Sequence, residues 1–196
     1  TLSHSGALAG SYDVYRAAFD RAGIVTVDTL SQLFDAAEIL SCYHRGADGR
    51  LAIVTNGGGA GILAVDALRG TRAELATLST ATIAVLDAGL PPGWSHANPV
   101  DIVGDAAPPR YGDAIGPVLR DDGVDALLVM NCPTAMASAE AFAEAVAEAV
   151  KAARVEGVTK PVIGCWLGDG NRAAARTTLR DAKIPLFATP QEVVRG

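Results

Sequence analysis

Aromatic residues, cysteines and histidines are all scarce in this chain of 196 residues. Aromatics make up 5% of it, and there are three cysteines and three histidines. Lys and Arg (16) are outnumbered by Asp and Glu (22), which argues against nucleic acid as a partner, since a basic footprint is missing. The cysteines lie far apart without a CxxC pair, which indicates reduced thiols and favours a cytoplasmic protein.

Long apolar runs and metal-ligand clusters are also missing from the sequence. No stretch of 18 apolar residues occurs, so we expect no membrane span, and no signal peptide is visible. Neither a catalytic triad nor a metal site follows from the spacing of His, Cys, Asp and Glu, so no metal is predicted. The hydrophobic content of 49% suits one globular core, which we place in residues 48–196 after a lead-in over residues 1–47.

The most informative stretch runs from Leu51 to Gly61, where an apolar strand pattern leads into a glycine cluster and then an apolar helical pattern. Glycine permits positive φ and lets the backbone approach a ligand closely. The first N–H groups of a helix lack intrahelical partners and lie at the positive end of its dipole, so a strand–glycine–helix unit favours a bound phosphate. A tight turn without a ligand is the alternative.

The details of the cluster favour an isolated phosphoryl group over a nucleotide. A P-loop would end in Gly-Lys-Ser/Thr, and no Lys follows here. A dinucleotide fingerprint starting at Gly57 would need a glycine where Ile62 stands. A flavin site usually offers aromatic stacking, which this composition does not support.

Strand and helix patterns alternate along the rest of the chain, which predicts an α/β fold with a parallel sheet. Right-handed crossovers favour a flavodoxin-like, three-layer arrangement of five strands in the order 2-1-3-4-5. The ligand crevice would then open at the carboxyl ends of strands one and three, beside the 55–61 and 131–134 loops. We expect the 98–101 segment to fold over the same crevice.

The lead-in is predicted to be helical. A first helix starts near Ser11 and stops at Gly23, and a short strand or extended link covers residues 24–27. Asp28 and Thr29 can cap a second helix. Its inward residues are expected to be Leu30, Leu33, Phe34, Ala37 and Leu40.

Of the three histidines, His4 is the best candidate for chemistry. It lies between Ser3 and Ser5 just before Gly6, and such small neighbours leave an imidazole accessible as a nucleophile toward phosphorus. A lone histidine in a loop is more often only solvated. His44 falls in a polar linker, and His96 is either a surface residue or a site-lining one.

Five ordered motifs resemble those of NDP-forming acyl-CoA synthetases, relatives of succinyl-CoA synthetase. Ser3–Gly10 resembles "SHTGALAG", Tyr15–Gly23 and Asp28–Ala37 resemble "YDAAFRQAG" and "DSLEELFDAA", Ile53–Gly61 resembles "IVTNAGGPG", and Asn98–Gly104 resembles "NPVDILG". Gly57 and Ala60 depart from the family's Ala and Pro, and neither change removes a backbone donor.

The resemblance implies roles for individual residues. His4 would carry the phosphoryl group, and the glycine loop would be one of two helix N-termini that hold it. The residues implied for phosphate binding are Asn56, Gly57, Gly58, Gly59, Ala60 and Gly61, and those expected to line the site are Ser3, Ser5, Gly6, Asn98, Asp101 and Asn131.

The implied reaction converts acyl-CoA, phosphate and NDP into acid, CoA and NTP through a phosphohistidine. CoA, the nucleotide and Mg²⁺ are expected on CoA-binding and ATP-grasp domains that this sequence lacks, in a homo- or hetero-oligomer. The fragment would be inactive alone. The alternatives are a regulatory synthetase-like region of a protein lysine acetyltransferase and a flavodoxin-like domain that binds a free anion.

Overall fold

The computed structural model describes residues 11–43 and 49–195. The described helices are α1 Tyr12–Ala22, α2 Leu30–Cys42, α3 Gly58–Ala67, α4 Thr80–Gly89, α5 Pro109–Arg120, α6 Ala139–Val155, α7 Asp169–Asp181 and α8 Pro190–Arg195. The described strands are β1 Arg50–Thr55, β2 Glu74–Leu75, β3 Val100–Asp101, β4 Ala126–Asn131, β5 Val162–Trp166 and β6 Leu186–Phe187. No helix in these ranges is long and apolar enough to span a membrane.

The strands form one parallel sheet in the order β2-β1-β4-β5-β6, with β3 also paired to β1. The predicted α/β class and parallel sheet are confirmed. The predicted count of five strands is wrong by one, because the described residues contain the additional strand β3. This strand has only two residues, which is too short for an alternating pattern of apolar and polar residues to reveal it. The five remaining strands follow the predicted path.

Two apolar clusters cover the two faces of the sheet. One packs α4, α5, α6 and α7 against it through side chains such as Leu86, Ile115 and Val146. The other packs α2, α3 and α8 against the opposite face through Ile39, Ala64 and Val193. The sheet is therefore buried on both sides, as parallel sheets require.

One edge of β1 is shared by two short strands. Leu51 pairs with β2 near the start of β1, and Val54 and Thr55 pair with β3 at its end. The Asn98 side chain fills the gap between them: its Oδ1 accepts from the N–H of Ile53 at 2.9 Å, and its Nδ2 donates to the carbonyls of Leu51 and Ala76, both at 2.9 Å. This amide replaces the missing ladder bonds and places β3 beside the glycine loop.

The lead-in helices form as predicted, but their apolar side chains do not face inward. Thr29 caps α2 through a capping box with Gln32, and α1 ends at Gly23 in the left-handed region. Of α2, only Ala36 and Ile39 are buried, whereas the five residues predicted to face inward are exposed: Leu30, Leu33, Phe34, Ala37 and Leu40. The prediction of their inward orientation is wrong, because α2 contacts the body only along the Ala36–Ile39 side.

Candidate functional site

The candidate site lies where β1, β3 and β4 end at the same edge of the sheet. β1 ends at Thr55, the chain turns through Asn56 and Gly57, and α3 begins at Gly58. The carboxyl ends of neighbouring parallel strands form the usual ligand crevice of such folds. The structure brings the glycine loop, Asp101 and Cys132 together there.

The start of α3 leaves two backbone donors without acceptors among the described residues. The N–H groups of Ala60 and Gly61 both donate to the carbonyl of Gly57, at 3.0 and 3.2 Å, and the N–H of Gly57 donates to the hydroxyl of Thr55 at 3.0 Å. This leaves the amides of Gly58 and Gly59. They lie at the positive end of a ten-residue helix, the position that suits an anion.

Packing explains three of the four glycines in the loop. A Cβ on Gly57 would collide with the Sγ of Cys132, one on Gly58 would lie 2.6 Å from an Oδ of Asp101, and one on Gly61 would come within 3.2 Å of Pro99 and Thr55. Only Gly59 faces open space. None of the four has positive φ, so close approach and not conformational freedom favours glycine at Gly57, Gly58 and Gly61.

Asp101 supplies a carboxylate at the mouth of the loop. Its Oδ1 accepts from the N–H of Val103 at 2.9 Å, and its Oδ2 lies against Gly58. The carboxylate is partly exposed and has no cation paired with it among the described residues. A negative group therefore shares the helix terminus with the two free amides.

The side chain of Asn56 is used within the protein. Its Nδ2 donates to the carbonyl of Cys132 at 3.0 Å, and its Oδ1 accepts from the Cys132 N–H at 2.7 Å. This reciprocal pair joins the ends of β1 and β4 and fixes the start of the glycine loop. The amide is only 2% exposed, so it positions the loop and does not face the crevice.

A second buried polar network lies beneath the crevice. Asn131, fully buried, donates to the Tyr111 hydroxyl at 3.3 Å and accepts from Asn171 at 2.9 Å. Tyr111 donates to the carbonyl of Met130 at 2.8 Å, and burial raises its pKa, so the phenol stays neutral. The network ties α5 and α7 to the end of β4.

Sequence reasoning missed Tyr111 and Asn171, and it included Thr55 and Cys132 only as members of the 55–61 and 131–134 loops, without a role for either. Thr55 ends β1 and Cys132 directly follows β4, so their position at strand ends is a usable signal. Burial and then the charge of Asp101 raise the pKa of the Cys132 thiol, which is therefore protonated at neutral pH. Tyr111 and Asn171 reach the site only through tertiary packing.

The residues predicted from the sequence divide into three groups. His4, Ser3, Ser5 and Gly6 lie outside the described residues, so their roles stay predictions. The free amides of Gly58 and Gly59 and the carboxylate of Asp101 lie in the crevice. Asn56, Asn98 and Asn131 have their side chains engaged within the protein, and Gly57, Ala60 and Gly61 have bonded amides.

His96 lies outside the crevice and forms a surface contact of its own. Its Nδ1 lies 2.7 Å from Oδ1 of Asp87 and its Nε2 lies 3.1 Å from the carbonyl of Pro92. Both partners are acceptors, so both contacts are satisfied only by the protonated ring. The Pro92 carbonyl and then the Asp87 carboxylate raise the pKa of His96.

This contact predicts a small dependence of stability on pH. Because the folded pKa of His96 is raised, its stabilisation should be complete below about pH 6.5, the pKa in an unfolded chain, and should fade as pH rises through the folded pKa. Urea unfolding between pH 5.5 and 9 checks this. His96→Gln should remove that part of the pH dependence, and an unchanged profile in the variant would contradict the assignment.

Comparisons with known proteins agree with this geometry. The family model described as "Ligase-CoA domain" matches residues 51–194, and that described as "Succinyl-CoA ligase like flavodoxin domain" matches residues 1–40. An ADP-forming acetate–CoA ligase of Archaeoglobus fulgidus is 36% identical over 99% of this chain and 26% of its own length. An ADP-forming 4-hydroxybutyrate–CoA ligase of Nitrosopumilus maritimus is 31% identical over 99% of this chain and 27% of its own length.

A solved structure shares the fold closely. The dinucleotide-forming acetyl-coenzyme A synthetase 1 of Ca. Korarchaeum cryptofilum, in complex with phosphate and ADP, is 32% identical with a TM-score of 0.87. The match covers 98% of this chain and 41% of that one. The chain thus spans well under half the length of these relatives. Together with the Ligase-CoA match over residues 51–194, these likenesses show that the chain belongs to the Ligase-CoA domain family of the ADP-forming CoA ligases.

Proposed function

We propose that this chain is the phosphoryl-holding part of an ADP-forming acyl-CoA ligase, which interconverts acyl-CoA, phosphate and ADP with acid, CoA and ATP. The observation that carries the proposal is the pair of free amides at Gly58 and Gly59, at the positive end of α3. These donors can bind phosphate oxygens without a cation. His4 would carry the phosphoryl group between the acyl and nucleotide sites, with Ser3, Ser5 and Gly6 around it.

The position of Asp101 favours a site that receives a phosphoryl group from a histidine over a site that binds free phosphate. A carboxylate beside the two amides weakens the binding of a free dianion, because like charges repel. It favours a ligand that brings a proton donor, such as an imidazole N–H or a protonated phosphate oxygen. Asp101 can therefore accept a hydrogen bond from the ring that presents the phosphoryl group to Gly58 and Gly59.

The remaining machinery is assigned to other parts of the enzyme. The described residues contain no group of three metal-ligating side chains, so we assign Mg²⁺ and the nucleotide to an ATP-grasp domain and CoA to its own domain. The whole enzyme would be cytoplasmic and oligomeric. The regulatory-region alternative has no observation in its favour, since the relatives described above are CoA ligases.

The test is the reverse reaction of the full-length protein. With acetyl-CoA, phosphate and ADP, we expect ATP and free CoA to form in equal amounts, measured by a coupled ATP assay and by thiol titration. Replacing phosphate with sulfate should stop both. Release of CoA without ATP would indicate a thioesterase, and no reaction with a panel of acyl-CoAs would contradict the proposed function.

A further inference from the structure

The turn that follows strand β3 has a strained backbone at the edge of the candidate site. Val103 has φ +70°, in the left-handed region, and it is the β-branched residue among the three non-glycine residues with positive φ in the described ranges. Crowding between the branched side chain and the backbone makes this conformation costly for valine. Such strain persists where surrounding contacts hold it, and it is concentrated at functional sites.

The strained turn contacts the carboxylate of Asp101 directly. The N–H of Val103 donates to Oδ1 of Asp101 at 2.9 Å, and Oδ2 of the same carboxylate lies against Gly58. A Cβ on Gly104 would lie 3.7 Å from the carbonyl oxygen of Asn56, so the turn runs close to the start of the glycine loop. The direction of the Asp101 carboxylate therefore depends on the conformation of this turn.

The sheet fixes only the first part of the turn. The N–H of Ile102 donates to the carbonyl of Thr55 at 2.8 Å, and Ile102 is fully buried. The N–H of Ala106 donates to the carbonyl of Val103 at 3.0 Å, which closes the turn on itself. Between these two contacts the chain is exposed at positions 104 and 105. A strained turn with an exposed outer part needs a further anchor.

Arg110, in the first turn of helix α5, supplies that anchor. Its Nη1 donates to the carbonyl of Ile102 at 3.0 Å and also to Oδ1 of Asp105. The side chain of Arg110 is 22% exposed, whereas that of Asp105 is 70% exposed. An ion pair with a largely solvated carboxylate contributes little to stability. The main effect of Arg110 is therefore to hold both ends of the 102–105 segment to α5.

We propose that Arg110 is a positioning residue for phosphoryl transfer, because it holds the Val103 turn in its strained conformation and so keeps the Asp101 carboxylate beside Gly58 and Gly59. This inference rests on the proposed function, in which Asp101 accepts a hydrogen bond from the imidazole that presents the phosphoryl group. Without Arg110, Val103 relaxes toward negative φ, and its N–H no longer orients the carboxylate. A small displacement of one acceptor slows a transfer that depends on alignment.

A direct contact between Arg110 and the phosphoryl group is the alternative role. The Nη1 group is already engaged with the Ile102 carbonyl and the Asp105 carboxylate, which favours the positioning role. The two roles also differ in the residues on which they depend. A positioning role acts through Asp101 and through the strain at Val103, whereas a direct contact between charges needs neither of them.

Labelling of the full-length protein by ATP separates the two roles. Arg110→Met should slow acid-labile labelling at least about tenfold, because the carboxylate loses its orientation. Adding Val103→Gly should recover at least about threefold, because glycine adopts positive φ without strain and has less need of the anchor. In an Asp101→Ala background, Arg110→Met should cause no further loss, since both residues act through the same contact.

Arg120→Met is the matched control for these variants. Arg120 lies at the other end of α5 and donates to the carboxylate of Glu156 at 2.6 and 2.9 Å, and both side chains are about half exposed. The variant removes an arginine ion pair from the same helix and leaves the Val103 turn intact. Its labelling should equal that of the unmodified protein.

Hydrogen exchange measured by mass spectrometry gives a second readout that needs no ligand. In the full-length protein, Arg110→Met should speed exchange in a peptide covering residues 101–106 at least about tenfold, because the amides of Ile102, Val103 and Ala106 are bonded in this turn. A protein that forms no phosphohistidine would contradict the proposed function and the role of Arg110 in transfer together. The exchange measurement would still decide whether Arg110 holds the turn.

Three results would overturn the inference. The first is labelling of the Arg110→Met protein at the unmodified rate. The second is a loss of labelling that is equally large without the Asp101 carboxylate and that Val103→Gly does not relieve, which would indicate a direct contact with the phosphoryl group. The third is unchanged exchange over residues 101–106 in the Arg110→Met protein.

Discussion

Replacing His4 with Ala in the full-length protein should abolish acid-labile labelling from ATP and reduce turnover to background. A relay through a covalent phosphohistidine splits the transfer into two steps, and neither step can proceed without the nucleophile. We expect the melting temperature to stay unchanged, so that loss of labelling reports loss of the nucleophile and not loss of the fold. Labelling is measured after alkaline denaturation, which preserves phosphohistidine.

His96→Ala is the matched control for this experiment. His96 is half-exposed, and its ring interacts with Asp87, Trp94 and the carbonyl of Pro92, away from the crevice. It should label as the unmodified protein does. If the His4 variant labels equally well, the relay assignment is wrong and the regulatory interpretation becomes the better one.

Gly59→Val should reduce phosphoryl labelling at least about tenfold, equivalent to about 1.4 kcal/mol, while leaving the stability of the fold unchanged. A Cβ at Gly59 meets nothing within 4 Å inside the protein, so the fold has room for the new side chain. We place the phosphoryl group in this open space, beside the two free amides. A loss of labelling would therefore mean that the valine side chain displaces the phosphoryl group and not that the fold is disturbed.

Two further variants separate ligand crowding from packing. Gly58→Val should lower both labelling and stability, because its side chain must displace Asp101, at a cost of about 1–3 kcal/mol. Gly112→Val, in an open position on α5, should change neither by much. Full labelling by Gly59→Val would mean that the phosphoryl group lies elsewhere.

Local chemistry made much of the fold predictable. A buried apolar run followed by glycines identifies β1 and the start of α3, and Thr29 and Ser138 cap helices where capping residues are expected. The parallel sheet follows from the alternation of strands and helices. These features depend on a few consecutive residues, which is why one sequence suffices for them.

The features that escaped prediction depend on distant contacts. β3 is two residues long and exists because the Asn98 side chain occupies the neighbouring edge of β1. Asn131 looks like a crevice residue at the end of a strand, but Tyr111 and Asn171 hold its side chain below the surface. The apolar pattern of α2 predicts a buried face, but burial depends on which side of the helix meets the rest of the protein, and only Ala36 and Ile39 do so among the described residues.

The glycine loop shows the same division at one site. Its sequence predicts a helix terminus with free amides. The structure limits these free amides to Gly58 and Gly59, because the N–H groups of Ala60 and Gly61 already donate to the carbonyl of Gly57. The number of glycines is weaker evidence for a ligand than the sequence suggests, because Gly57, Gly58 and Gly61 lie close to Cys132, Asp101 and Pro99, where a Cβ would be crowded.

Titration of the ¹⁵N-labelled 196-residue chain with phosphate tests the central claim most directly. We predict saturable shifts of the Gly58 and Gly59 amides with millimolar affinity, about 4 kcal/mol, because only two free amides hold the anion and the Asp101 carboxylate beside them repels it. The amides of Gly112 and Gly157 should not move. Shifts spread evenly over the surface, or none at Gly58 and Gly59 at high phosphate concentration, would contradict the assignment of this helix terminus as the phosphoryl site.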